Sequence, residues 1–168
     1  MFTFVTLLLL SACTSNGEKE GNMIAVSILP LQFLADEISG GDFKVTVIVP
    51  PGASPETYEP TVSQMNRLNA SLAYFEVGLI DFEHGVAEGL QHSAREIPIV
   101  TLSKDMLLLE GDCGHSHAPG EAYHHGTDPH IWLSPERLKI MTGHMAEALV
   151  QLSPDSAAKY QLNSANLI

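Results

Sequence analysis

Cysteine, tryptophan and positive charge are scarce in this chain: 2 Cys, 1 Trp and 8 Lys plus Arg among 168 residues. Cys13 closes the N-terminal apolar segment in a setting that suits lipidation, which leaves Cys113 without a partner for an internal disulfide, so a disulfide-stapled fold is not expected. CxxC, HExxH and GxSxG are all missing, which removes the sequence cases for a zinc ribbon, a helix-borne metalloprotease and a nucleophile elbow. Against those few cations stand 20 Asp plus Glu, a formal charge of −12. Such a surface repels phosphate backbones, so no nucleic-acid partner is expected. No apolar run is long enough to span a bilayer as a helix.

The chain opens "MFTFVTLLLLSACTSNGEKEGN". Its apolar run has the length of a signal h-region and ends in small residues, although no Lys or Arg precedes it. "LSAC" resembles a bacterial lipobox, which implies cleavage after residue 12 and a lipid on Cys13. Residues 13–22 then read as a polar tether. Together these place the protein outside the cytoplasm, anchored to a bacterial membrane. Glu18 and Glu20 read as solvated charge on that tether.

With 45% hydrophobic and 17% charged residues, the remainder suits one globular domain. Apolar runs at 23–29, 43–49, 71–77 and 97–102 predict four strands. Between them, Leu31, Leu34, Ala35 and Ile38 have the spacing of one helix face, closed by Gly40 and Gly41. Thr61 and Gln64 have capping-box spacing for a helix to about Ala70, and 80–94 predicts another. Ser134-Pro135-Glu136 opens a helix to about Leu152, and Ser153-Pro154-Asp155 starts one more. This alternation predicts an α/β fold, a four-stranded parallel sheet flanked by helices and joined by right-handed crossovers. In such a sheet, ligands sit beyond the carboxyl ends of the strands. The loops after the second and fourth strands therefore share one rim.

Those loops carry the chemistry. The second is "PPGASPETYEP"; the other is "HSHAPGEAYHHGTDPHIWLSP", with five histidines in sixteen residues. Imidazole and carboxylate are zinc ligands. His115, His117, His124 and His125 lie among Gly, Ser, Ala and Pro, a composition that gathers ions loosely or is simply solvated. Cys113 adds a soft donor there or is incidental. His130 is held between Pro129 and "IWL", the support a ligand needs, with Trp132 expected to pack beneath it. His84, His92 and His144, with Asp81 and Glu83, are expected to be exposed helix residues without a site role.

"ILPLQFLADEISGG", "VIVPPGASPETYEPT", "DPHIWLSP" and the His-rich segment before it resemble the zinc/manganese solute-binding proteins of bacterial ABC importers. The resemblance runs from about Ile24 to the end. It implies a binding protein that performs no catalysis and works as a monomer: two α/β lobes bridged by a long helix, with metal in the cleft between them.

 On this resemblance the chain is expected to be the first lobe (23–152, with its His-rich loop at 112–127) followed by the start of the bridging helix (153–168). The family's first-lobe histidines fall on His130 and on the position of Glu56, where this chain has a carboxylate instead. Glu56 is then either a ligand, harder than imidazole and suited to Mn(II) as well as Zn(II), or an exposed loop acid. Tyr58, Glu59 and Pro60 are expected to shape that loop. The implied function is capture of Zn(II), with Mn(II) as the alternative ion, for delivery to the permease and ATPase of an importer. A surface adhesin, a metal-buffering lipoprotein and, more remotely, a zinc hydrolase are the competing readings.

Overall fold

The computed structural model describes residues 21–108 and 127–168. Four short strands form one sheet: β1 (Met23–Val26), β2 (Lys44–Val47), β3 (Tyr74–Glu76) and β4 (Ile99–Thr101). All pairs are parallel, in the order β2-β1-β3-β4. The strands are shorter than the apolar runs that announce them. The flanking residues stay buried but turn out of the ladder, as at Ile48 and Val49, whose N–H groups still bond Val26 and Ser27.

Helix α1 (Leu29–Ser39) begins two residues earlier than its apolar pattern suggests. Pro30 sits in its first turn, where a missing N–H costs no helical bond. Leu31, Leu34, Ala35 and Ile38 are all buried, and Gly40 ends the helix at φ 60°. There a side chain is excluded twice over, by the left-handed backbone and by Lys159, whose Cε would lie 2.7 Å from an added Cβ.

Helix α2 (Val62–Asn69) starts with the expected box: Gln64 N–H donates to Thr61 Oγ1, and Thr61 N–H donates to Gln64 Oε1. Helix α3 (Asp81–Gln91) buries Phe82, Val86 and Leu90. Helix α4 (Pro135–Leu152) and helix α5 (Ala157–Leu167) pack against each other and against α1. Ser134 stands at the N-cap of α4, but its hydroxyl donates to Glu136 instead of accepting a backbone N–H. Among the described residues, no helix is long and apolar enough to cross a membrane.

Candidate metal centre

Three connections at the carboxyl ends of the strands build the site. After β2, the chain forms a one-turn 3-10 helix at Pro55–Thr57, which carries Glu56 into solvent. That loop is tied down by Gln64, whose amide donates to Ile48 O at 2.6 Å and to the Tyr58 hydroxyl at 2.8 Å. Tyr58 in turn meets the Phe82 ring edge-on at 6.1 Å. Tyr58 thus shapes the loop, as expected, while Glu59 is exposed.

Before α4, a second 3-10 turn spans Ile131–Leu133 with His130 at its N-cap. Ile131 is buried at 1% exposure and roots the turn in the core. The His130 ring packs on Trp132, centroids 5.2 Å apart. Asp128 Oδ1 accepts two bonds from His130, one from the backbone N–H and one at ring Nδ1, both 2.9 Å. These bonds, the backbone one foremost, hold the Asp128 carboxyl below its usual range. On the other side of the ring, Nε2 lies 3.8 Å from Glu56 Oε1.

The two residues therefore meet at one rim. They line an open pocket of about 140 Å³ with Ser54, Pro55, Ile80, Pro129 and Trp132. Adjacent ligand atoms in a tetrahedral zinc site stand about 3.3 Å apart, given metal–ligand bonds near 2.0–2.1 Å. The gap between Nε2 and Oε1 is about 0.5 Å wider than that spacing, and both side chains are partly exposed to solvent. Among the described residues no group of three or more His, Cys, Asp or Glu stands close enough to hold an ion, so the described candidate site offers two donors. His115, His117, His124, His125 and Cys113 lie outside the described residues, as do Cys13, Glu18 and Glu20.

Two expectations fail. Glu83 is not solvated: at 1% exposure it accepts backbone bonds from Val77, Gly78, Leu79 and Ile80, at 2.7–3.1 Å. A carboxylate in the first turn of a helix that follows a tight loop faces every N–H of that loop, and these bonds offset its desolvation. Nor is His144 exposed. It is half-buried, with Nδ1 3.1 Å from Leu102 O, joining α4 to the end of β4. His84 and His92 are exposed as expected.

Behind the rim lies a polar layer that the sequence did not announce. By register, Ser27, Tyr74, Glu76 and Thr101 share one face of the sheet. Glu76 is 8% exposed and bonds Thr101 through Oε1. Burial pushes its carboxyl up despite that bond. Burial also raises Tyr74, with the charges of Glu83 and Glu76 adding to the effect.

A parallel sheet in the order 2-1-3-4, with a pocket lined by His130 and Glu56 over its carboxyl ends, is one α/β lobe of solute-binding-protein type. The chain belongs to the ZnuA family, "zinc-uptake complex component A periplasmic", whose model matches residues 24–168. It is 32% identical to the high-affinity zinc uptake system protein ZnuA of Yersinia pestis, over 83% of this chain and 49% of that protein. It is 25% identical to the zinc-binding lipoprotein AdcA of Streptococcus pneumoniae serotype 4, over 96% of this chain and 33% of that one. A crystal structure of ZnuA superposes with a TM-score of 0.73 at 32% identity, covering 86% of this chain and 52% of that chain. A zinc-bound ZnuA deletion mutant gives 0.72 at 34% identity, covering 86% and 52%. The chain thus spans from a third to about half of the length of these relatives.

Proposed function

We propose that this chain is the first lobe of an extracytoplasmic metal receptor, one that captures Zn(II) and passes it to the permease and ATPase of an ABC-type importer. The observation that carries this reading is the approach of His130 Nε2 and Glu56 Oε1 to 3.8 Å on an open pocket. One nitrogen and one anionic oxygen are a donor pair that suits zinc and tolerates Mn(II). The names of the Yersinia and Streptococcus relatives, both of which specify zinc, point the same way.

Two donors are half of a tetrahedral sphere. In this reading the remainder comes from a second lobe joined through residues 153–168, while His115, His117, His124 and His125 gather ions near the rim. Cys13 carries the lipid that keeps the receptor at the membrane. The work done is binding and release as a monomer, not turnover. Imidazole must be unprotonated to ligate, so capture weakens in acid.

The test is zinc affinity by competition with a chromophoric chelator. His130→Ala should weaken the tightest binding by orders of magnitude, and Glu56→Gln by a smaller factor. Zinc affinity unchanged in His130→Ala would reject the assignment.

A further inference from the structure

A histidine binds metal through one ring nitrogen, and something must decide which nitrogen that is and where it points. The described histidines solve this differently. His92 turns Nδ1 to Glu88 O of its own helix, and His144 turns Nδ1 to Leu102 O. Neither has a carboxylate at Nδ1. His130 does, and it is the same oxygen that receives its own backbone N–H.

We infer that Asp128 is a positioning residue: it locks the His130 ring in the tautomer and orientation that present Nε2 to a cation shared with Glu56. The inference rests on the metal-receptor reading above and adds a residue to it. A carboxylate oxygen only accepts hydrogen bonds, so at 2.9 Å the ring proton of neutral His130 belongs on Nδ1. That leaves the lone pair on Nε2, the atom facing Glu56. The backbone bond to the same Oδ1 fixes the carboxylate relative to the main chain, so the ring is held at both ends of one short span. Trp132, against the ring face at an interplanar angle of 53°, limits rotation about the remaining bond. The role assigned to Asp128 is to act through the ring, by the two bonds that its Oδ1 accepts from His130.

Two measurements test it. In metal-free protein, ¹⁵N NMR should show neutral His130 with a protonated Nδ1 and a bare Nε2. Asp128→Ala, or Asp128→Leu should the smaller residue disturb folding, should move the ring toward the Nε2–H form. Zinc affinity should fall about 10- to 100-fold in the same variants, the usual loss on removing a ligand's outer partner. Asp128→Asn, whose amide oxygen also accepts, should restore the tautomer and bring affinity within a few-fold of the parent. An unchanged tautomer without the carboxylate overturns the inference, and so does a changed tautomer with unchanged affinity. Zinc affinity indifferent to His130→Ala rejects the receptor reading instead, and the tautomer of metal-free protein reports on Asp128 separately from that failure.

Discussion

Glu83 shows how much one side chain can hold. Its carboxylate gathers four consecutive N–H groups from the β3–α3 connection, and Ile80, the last of them, lines the pocket of Glu56 and His130. Gly78 belongs to the same turn; at φ 85° with Thr101 Cγ2 2.2 Å from an added Cβ, no other residue fits. Truncating Glu83 would strand those donors in a buried place. Glu83→Ala should therefore cost about 3 kcal/mol, the upper end of the range for leaving buried hydrogen-bonding groups unsatisfied. Urea denaturation followed by circular dichroism reads this directly, and a loss under about 1 kcal/mol would mean that water satisfies the turn.

At the scale of elements, the loop that carries Glu56 depends on helix α2. Gln64 is buried and serves three segments at once: the Thr61 cap, the Tyr58 hydroxyl and the carbonyl of Ile48 at the end of β2. Its place in a capping box is legible from four residues of sequence. Its bond to Ile48, sixteen positions away, is not, because nothing local requires it. Gln64→Ala should lower stability by about 2 kcal/mol, several neutral hydrogen bonds at roughly 1 kcal/mol each less what water recovers. It should also weaken zinc binding several-fold by loosening the Glu56 turn. Denaturation and zinc titration of one preparation check both, and a stability loss with unaltered affinity would show that the turn holds itself.

For the molecule as a whole, the question is what fastens α5. Tyr160 is fully buried against Phe43, and its hydroxyl donates to Asp42, which also pairs with Lys159 at 3.0 Å. Asn163 adds a bond to Ile38 O. Burial raises the Asp42 carboxyl, but the bonds from Lys159 and Tyr160 outweigh it and hold it below the usual value. A lowered native value means that Asp42 stabilises the fold when ionised. That contribution is present above the unfolded value, near pH 4, and is lost as pH falls through the native one. Asp42→Asn should lower Tm at pH 7, with a cost below about 1 kcal/mol because the pair is partly solvated. The gap between variant and parent should close as the pH drops toward 3. A gap that stays constant with pH would assign the effect to packing.

The succession of elements along the chain, the parallel sheet and the rim where the Glu56 and His130 loops meet were all legible in the chain, since apolar period and turn residues are local signals. The anchoring of His130 by the apolar residues that follow it was legible too, and buried Ile131 and packed Trp132 supply it. The tertiary structure decided what depends on neighbours distant in sequence. It brought Glu56 within 3.8 Å of His130 across 74 positions, buried Glu83 under its own loop and turned His144 inward to β4. A carboxylate looks alike in sequence whether water or backbone N–H groups surround it; only packing makes that choice, because desolvation has no local signature.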